Sequence, residues 1–191
     1  MTASSWGKPM VSFADLGIEP LLVDALKQQG IVEPFEVQKE SIPDAMLGRD
    51  VCCRAPTGSG KTLAFGLPLL AMTEEAEPSR PTSLILTPTR ELAEQIFNVL
   101  DPLAYELQLY VQAMYGGSSY NKQYRALERG IDVLVACPGR LIDMMDRGAV
   151  SLDDVGIVVL DEADRMADMG FMEPVCKILD RCKKDRQTIL F

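Results

Sequence analysis

One stretch, residues 51–62 with the letters VCCRAPTGSGKT, most constrains what this chain can fold into. It reads as a short apolar strand, a glycine-rich turn and a helix that opens at Gly60, which is the order that a phosphate-binding loop requires. Backbone N–H groups of such a turn point at an anion, and the helix dipole adds positive potential. The stretch therefore predicts a bound nucleotide phosphate, and the alternative is an ordinary glycine turn.

Each position of this loop has an expected role. Lys61 can reach the outer phosphates and is a candidate catalytic residue, while the Thr62 hydroxyl can bind Mg²⁺. Gly58 and Gly60 let the backbone approach the phosphates closely. The predicted nucleotide contacts are Ala55, which stands where the general pattern has glycine, Pro56, Thr57, Gly58, Ser59, Gly60, Lys61 and Thr62.

Composition narrows the possible chemistry. The 191 residues include no histidine, which excludes Ser-His-Asp catalysis and His-ligated metals. The net charge of −9 argues against broad adhesion to nucleic acid but leaves room for a local basic strip. The five cysteines form no CxxC pair, so neither a zinc site nor a disulfide framework is indicated. Because no secretory signal and no apolar run of bilayer length occurs, we expect a cytoplasmic protein without membrane contact.

The order of apolar runs predicts the fold class. Helical spacing covers residues 19–29 and continues after Pro34 to Gly48. Strand-like runs then alternate with helical patterns, which predicts an α/β domain with a mostly parallel sheet and helices on both faces. The expected strands are 51–54, 83–87, 109–115, 133–137, 157–160 and 188–191, and the expected helices between them are 62–73, 90–103, 119–129, 140–146 and 171–181. Residues 1–12 are predicted to be a flexible lead-in, and residues 13–191 one domain.

A carboxylate cluster follows the fifth of these strands, in the letters VVLDEAD of residues 158–164. Mg²⁺ that bridges nucleotide phosphates needs a hard oxygen ligand at such a strand end, and Asp161 is the candidate. Glu162 is the candidate catalytic residue that orients and deprotonates an attacking water. The alternative is a solvated acidic turn that caps the next helix.

With DEAD at residues 161–164 and APTGSGKT at 55–62, the chain resembles the first RecA-like domain of DEAD-box RNA helicases, from about Phe13 to the last residue. The resemblance implies a RecA-like P-loop domain that binds ATP, or ADP, with Mg²⁺, and that belongs to an RNA-dependent, RNA-unwinding ATPase. It also implies that Phe13 stacks on adenine and that Gln38 hydrogen-bonds the base edge; the alternative for Phe13 is a core aromatic residue. Where the family usually has Pro-Thr-Pro-Ile-Gln, residues 34–38 read Pro-Phe-Glu-Val-Gln.

Three further motifs imply contacts with the RNA backbone and none with base edges. The run PTRELA begins at Pro88 and offers Thr89 and Arg90, although Arg90 could instead pair with Glu94 on the same helix. The doublet Gly116-Gly117 matches the family's glycine pair. In residues 137–140 the family's Thr-Pro-Gly-Arg has become Cys-Pro-Gly-Arg, which keeps Pro138, Gly139 and Arg140 but loses a hydroxyl.

The resemblance covers only one of the family's two domains. Residues 188–191 are similar to the strand that leads into the Ser-Ala-Thr motif, and the second RecA-like domain with its arginine fingers is absent, so we expect a nearly inactive fragment. The expected partners are RNA and that second domain, and the domain itself is expected to be a monomer. Two alternatives stay open: a P-loop ATPase that acts on DNA, and a non-catalytic, nucleotide-dependent binding module.

Overall fold

The computed structural model describes residues 11–56 and 58–191. Within those ranges the strands are β1 Val51–Cys52, β2 Ser83–Leu86, β3 Val111–Met114, β4 Val133–Ala136, β5 Ile157–Leu160 and β6 Gln187–Leu190. The helices are α1 Pro20–Gln28, α2 Glu36–Met46, α3 Lys61–Met72, α4 Arg90–Glu106, α5 Tyr120–Arg129, α6 Pro138–Asp146, α7 Ala163–Asp168 and α8 Met172–Leu179. Residues 1–10 of the predicted lead-in and Thr57 of the predicted phosphate loop lie outside the described residues.

The six strands form one sheet in the order β1-β6-β5-β2-β4-β3, and every neighbouring pair is parallel. In the middle of the sheet, Ser83 lies opposite Val133 on one side and Ile157 on the other. The three central strands are four-residue runs, apolar except for Ser83, and every residue is buried because helices cover both of their faces. The predicted α/β class is confirmed, and the sheet is parallel throughout.

Alternate residues of each central strand face two separate hydrophobic clusters. Ile85 of β2 belongs to the cluster that contains Phe65 of α3 and Leu100 of α4. Leu84 and Leu86 of β2 belong to the other cluster, together with Leu141 of α6. Each fully buried aliphatic side chain contributes roughly 1.5–3 kcal/mol, so the two clusters fix which face of the sheet each strand residue occupies.

Helix α3 is apolar on nearly all sides, since every residue from Leu63 to Leu70 is buried. It packs against α2 and α4 as well as joining the cluster on its face of the sheet. A helix that is enclosed in this way does not show an amphipathic stripe. The packing of α3 therefore fixes the position of its first turn, which follows the glycine-rich loop.

Strand β1 lies at an edge of the sheet and is shorter than the sequence predicts, with two residues instead of four. Its partner is β6, with Val51 opposite Ile189, and the Cys53 N–H donates to the Leu190 carbonyl at 2.9 Å. The Gln187 amide strengthens this edge by donating to the carbonyl of Arg49 at 2.6 Å. The loop after β1 therefore depends on β6 for its position.

Helix α7 is absent from the sequence-based prediction, which places no helix at residues 163–168. Its six residues are too few to show an apolar period, and Met166 is its one buried residue. The other predicted helices are present, and their ends differ from the predicted ends by a few residues.

Candidate functional site

The segments that follow the parallel strands meet at one edge of the sheet, which is where open α/β sheets bind ligands. The glycine-rich loop follows β1, Thr87 follows β2, Cys137 follows β4 and Asp161 follows β5. Backbone hydrogen bonds extend the ladder past the strand ends, because the Thr87 N–H donates to Ala136 at 3.1 Å and the Asp161 N–H to Leu86 at 2.9 Å. This strand-end edge therefore gathers the predicted motifs.

The loop before α3 has the backbone geometry of a phosphate cradle. Gly60 is the N-cap of α3 in the left-handed region, with φ of 86°, and no side chain of the described residues caps the helix. A Cβ at Gly60 would lie 2.5 Å from Gln38 Nε2 and 2.6 Å from Phe35 Cδ2, so any other residue would strain the backbone and collide. The first N–H groups of α3, beginning at Lys61, are left available to an anion.

Four other predicted loop positions line a cleft of about 410 Å³ beside this cradle: Ala55, Pro56, Gly58 and Ser59. The Ser59 hydroxyl is buried without a hydrogen-bond partner among the described residues. Thr62 is the second residue of α3 and is half-buried. The structure thus brings together all the described positions of the predicted loop.

Gln38 connects α2 to this loop and is 2% exposed. Its Oε1 accepts from the Phe35 N–H at 2.8 Å, and its Nε2 donates to the Gly60 carbonyl at 2.9 Å. A primary amide has two donor hydrogens and two acceptor lone pairs, so one of each remains. The residue predicted to contact a base edge therefore also holds the loop predicted to bind the phosphates.

In this conformation Phe13 is not placed to stack on adenine, so that role stays a prediction. Phe13 is 1% exposed and lies in the cluster that contains α1 residues such as Leu22, so neither face of its ring is free. The alternative, a core aromatic residue, is what the structure has. The exposed aromatic side chain beside the loop is Phe35, which is 59% exposed and lines the same cleft as Pro56.

Asp161 is a buried carboxylate next to a cation. It is 6% exposed, and burial raises the pKa of its carboxyl group from 3.8 to about 6, against the opposing charge of Lys61. Its Oδ1 has no hydrogen-bond partner among the described residues. A buried charge without a partner is costly, so this oxygen is suited to a cation or to a donor that a ligand supplies.

The residues present fit the predicted Mg²⁺. The Asp161 carboxylate supplies hard oxygen atoms for the metal or for the waters that the metal keeps, and Thr62 adds a hydroxyl at the start of α3. No group of three His, Cys, Asp or Glu side chains suited to a metal ion is found in the described part of the chain. Mg²⁺ at phosphate sites does not need such a group, because it keeps several waters and binds one or two carboxylates together with phosphate oxygens.

Glu162 has an unusual backbone conformation, with φ of 53° and ψ of 48° in the left-handed region. Its carboxylate is 20% exposed and pairs with Arg165 Nη1 at 2.9 Å. Non-glycine residues in this region cost about 1–3 kcal/mol and are concentrated at functional sites. The backbone turns Glu162 away from the direction of the strand and onto the side chain of Arg165.

The motif after β2 forms the start of α4. Thr89 is the N-cap, and its hydroxyl accepts from the Leu92 N–H at 3.3 Å, as expected for a helix that begins at Arg90. Arg90 Nε lies 3.5 Å from Glu94 Oε1, and its guanidinium lies 5.5 Å from the ring centroid of Tyr115. The ion pair that the sequence offers as an alternative role for Arg90 is therefore present in this conformation.

Arg140, in the first turn of α6, is held by three neighbours. Its Nη1 donates to Gln123 Oε1 at 2.7 Å and to the Ser118 carbonyl at 3.2 Å. Its guanidinium carbon also lies 4.1 Å from the ring centroid of Tyr120, within the range of a cation–π contact. The cation predicted to contact RNA is thus fixed in direction before any ligand arrives.

Tyr120, whose ring lies under the Arg140 guanidinium, is not among the site residues that the sequence predicts. Arg147 also lies over its ring, at 4.7 Å from the centroid, and its hydroxyl donates to Asp143 Oδ2 at 2.6 Å. That hydrogen bond, together with Arg147, lowers the pKa of Asp143. The available signal was an aromatic residue three positions after a glycine doublet, which on its own indicates only a turn.

A second cleft of about 410 Å³ opens beside Arg140 and is lined by Pro88, Gly116, Tyr120, Pro138 and Gly139, among others. Gly117 has φ of 84°, and nothing lies within 4 Å of where its Cβ would be, so a ligand backbone can approach it. Four of the predicted RNA contacts therefore share one cleft (Pro88, Pro138, Gly139 and Arg140), while Thr89, Arg90 and Gly117 are not among the residues that line it.

Cys137 is the N-cap of α6 but makes no side-chain cap hydrogen bond. Burial raises the pKa of its thiol to about 11, so the sulfur is neutral at pH 7. The thiol does not replace the hydrogen bond that a threonine hydroxyl could supply at this position.

A larger cleft, of about 560 Å³, lies between α6 and α8 and contains none of the predicted site residues. None of the helices in residues 11–56 and 58–191 has the length and apolar character to cross a membrane.

Comparison with protein families finds that the family model described as DEAD/DEAH box helicase matches residues 35–191. The mitochondrial DEAD-box ATP-dependent RNA helicase 9 of Arabidopsis thaliana is 45% identical over 193 residues, and the match covers 98% of this chain and 31% of that protein. The ATP-dependent RNA helicase vasa of Drosophila melanogaster is 41% identical, with 100% of this chain and 30% of vasa covered. The chain therefore spans about a third of the length of these relatives.

Among solved structures, the crystal structure of a DEAD box protein from the hyperthermophile Methanococcus jannaschii is similar, with a TM-score of 0.88 and 35% identity. The match covers 94% of this chain and 49% of that one. The predicted RecA-like fold is confirmed by this likeness together with the parallel sheet.

Proposed function

Because the chain belongs to the DEAD/DEAH box helicase family, we propose that it is the ATP-binding domain of an RNA-dependent, RNA-unwinding ATPase. One observation carries the nucleotide part of the proposal: among residues 11–56 and 58–191 the buried Oδ1 of Asp161 has no hydrogen-bond partner, and the charge of Lys61 acts on this carboxylate. A site with a free carboxylate oxygen, a lysine and uncapped helix N–H groups is complementary to a metal–phosphate pair.

In this proposal the side chains of Thr62 and Asp161 hold Mg²⁺, which supplies neutralisation of phosphate charge when it is bound. Lys61 and the N–H groups of the first turn of α3 bind the outer phosphates. Glu162 orients the attacking water and accepts its proton, for which its carboxylate has to leave Arg165.

Recognition of the base would rest on Gln38, whose remaining donor and acceptor match the N6 and N7 edge of adenine and mismatch guanine. Phe35 supplies the exposed aromatic surface beside the loop that Phe13 does not supply. We therefore expect Phe35 to contact the base or ribose in the cleft that it lines.

RNA would lie along the other part of the strand-end edge. Arg140, the α6 N-terminus and the open surface at Gly117 would contact its phosphates and sugars, and the 2′-hydroxyl would distinguish RNA from DNA. Arg90 would join them after exchanging Glu94 for a phosphate.

The matched relatives are much longer than this chain, which supports a second RecA-like domain as the partner of this one. An arginine finger from such a domain is worth about 10³–10⁵ in rate, so we expect the isolated chain to hydrolyse ATP slowly. The cytoplasmic location and the monomeric state stay predictions.

The test is calorimetric titration of the chain with ATP, ADP and GTP in the presence of Mg²⁺. We expect at least tenfold weaker binding of GTP, and loss of this preference in Gln38→Ala but not in the control Gln29→Ala, which changes an exposed glutamine at the end of α1. Equal affinity of the wild type for ATP and GTP would contradict the adenine assignment. A labelled single-stranded RNA and the DNA of the same sequence then separate the RNA proposal from action on DNA.

A further inference from the structure

Two polar side-chain atoms, at the ends of the neighbouring strands β2 and β5, are buried without hydrogen-bond partners among the described residues. One is Asp161 Oδ1, and the other is the hydroxyl oxygen of Thr87, a residue that is 0% exposed. Thr87 is not among the predicted site residues. A buried hydroxyl without a partner costs roughly 1–3 kcal/mol, so its presence calls for an explanation.

The register of the sheet puts these two atoms on the same face. Ile85 lies opposite Val159, and both belong to the cluster that contains the buried side of α3. Side chains alternate along a strand, so Thr87 and Asp161, two residues further on, face the same way. The Thr87 and Asp161 N–H groups remain in the backbone ladder, which keeps this register past the strand ends.

That face is the one on which α3 begins with Lys61 and Thr62. The charge of Lys61 acts on the Asp161 carboxylate, so the start of α3 is close to this pair. Neighbouring strands are about 4.7–4.9 Å apart, and one water molecule therefore fits between polar atoms on adjacent strands.

The chemistry of the pair selects one kind of ligand. A carboxylate oxygen accepts, and a threonine hydroxyl can accept as well as donate. A water molecule bound to a cation has committed its lone pair to the metal and offers two hydrogens, so it needs two acceptors. The Asp161 and Thr87 oxygens are two such acceptors.

We propose that Thr87 is a further positioning residue of the nucleotide site, whose hydroxyl and Asp161 Oδ1 together accept the two hydrogens of one water molecule in the hydration shell of Mg²⁺. The inference rests on the proposed function, because it requires Mg²⁺ with a nucleotide at the loop. It assigns to the end of β2 a role in the metal site, whereas the adjoining Pro88–Arg90 segment faces RNA.

The experiment measures ADP binding to the full chain by calorimetry, first with EDTA and then over a range of Mg²⁺ concentrations. Thr87→Val has nearly the volume of threonine and removes only the hydroxyl, and Thr87→Ser keeps the hydroxyl. Loss of a residue that orients a metal's ligands typically costs about 10–100-fold in metal affinity. We expect the Mg²⁺ concentration for half-maximal enhancement to rise at least tenfold in Thr87→Val and less than threefold in Thr87→Ser, with ADP affinity in EDTA unchanged in both.

Thr73→Val is the matched control. Thr73 lies just after the other end of α3, and its hydroxyl donates to the Leu69 carbonyl at 2.7 Å and is 2.8 Å from the Ser83 hydroxyl. Its replacement removes hydrogen bonds and should lower the melting temperature without changing the Mg²⁺ dependence. Thr87→Val removes no hydrogen bond to residues 11–56 or 58–191 and should leave the melting temperature in EDTA equal or higher.

Equal Mg²⁺ dependence of Thr87→Val and wild type would overturn the inference and leave the proposed function intact. A lower melting temperature of Thr87→Val with unchanged Mg²⁺ dependence would identify a structural water instead and would overturn it as well. Absence of ADP binding to the wild type would overturn the proposed function together with the inference. If Thr87→Val does not fold, Thr87→Ala gives the same comparison.

Discussion

At the phosphate-loop half of the strand-end edge, Asp161 Oδ1, the Thr87 hydroxyl and the Ser59 hydroxyl are buried without partners in the described chain. At the other half, Arg140 and Arg90 already have several partners each within the chain. The first half leaves polar groups for a ligand to satisfy. The second half presents cations whose direction is set by the protein.

This difference predicts how strongly each half responds to a ligand. A ligand that satisfies buried, unpartnered groups recovers their full desolvation cost, whereas a ligand that meets partnered cations exchanges one hydrogen bond for another. We therefore expect large effects on binding and stability from changes at the phosphate-loop half, and modest effects from changes at the RNA half.

The largest effect should come from Lys61→Ala, which removes a cation whose charge acts on the Asp161 carboxylate. Charge-assisted hydrogen bonds are about twice as strong as neutral ones, so we expect ADP affinity in calorimetry to fall about 100-fold or more. Lys177→Ala is the control, since that lysine pairs with Glu173 on α8, outside the strand-end edge. Equal affinities of the two variants would remove the contrast between the halves.

Asp161→Asn should stabilise the free protein by about 2–3 kcal/mol at pH 7, as measured by urea unfolding. Burial raises the pKa of Asp161 from 3.8 to about 6, so the folded state holds its proton more tightly than the unfolded state. The free energy of unfolding of the wild type therefore falls as pH rises from about 4 to about 6, and the penalty is complete above that range. In Asp161→Asn the free energy of unfolding should not show this decrease, because the carboxyl group is absent.

The same titration predicts that Mg²⁺ enhancement of ADP binding weakens below about pH 6, where Asp161 becomes protonated. A wild type and an Asp161→Asn variant with parallel stability curves between pH 4.5 and 7.5 would show that the carboxylate is not strained by burial.

At the RNA half, Arg140→Ala should lower the affinity for single-stranded RNA by only about five- to tenfold. The slope of log affinity against log salt should decrease by about 0.7, the value for one phosphate contact on a single strand. Arg147→Ala is a matched control, because Arg147 also lies over the Tyr120 ring but pairs with Asp143. A loss as large as that of Lys61→Ala for ADP would contradict the comparison.

The smallest effect should come from Cys137→Thr, which adds the hydroxyl that the N-cap of α6 lacks. One added hydrogen bond is worth about 0.5–1.5 kcal/mol, which corresponds to a two- to tenfold gain in RNA affinity or a similar gain in stability. Cys137→Ser separates the hydroxyl from the methyl group. Filter binding measures the RNA affinity, and thermal unfolding the stability, of the wild type, Cys137→Thr and Cys137→Ser.

Most of the fold could be predicted from the sequence, because the patterns that indicate strands and helix caps are local. The run at residues 157–160 coincides with β5, and Thr89 caps α4 as its position before a helical pattern predicts. The motif spacing likewise selected the loop and Asp161, which the structure places after β1 and β5, while their contacts with a nucleotide stay predictions. These features depend on residue type and order alone.

What the sequence did not carry depends on tertiary contacts. The position of Phe13 matches the family, but only packing against α1 decides that its ring is buried. The contacts of Tyr120 with two arginines follow from which segments the topology brings together. The same is true of the Thr87 hydroxyl, which has no partner in the described part of the chain. The two-residue length of β1 likewise depends on a strand far along the chain.

The pairing of β1 with β6 has a consequence for synthesis on the ribosome. The Gln187 amide reaches the Arg49 carbonyl across a separation of 138 residues, and Val51 pairs with Ile189. The phosphate loop is thus translated early, yet its edge of the sheet cannot close until β6 has left the exit tunnel. While the intervening residues are made, the β1 edge and the start of α3 are exposed to chaperones and proteases, and nucleotide available at that time would have no complete loop to bind.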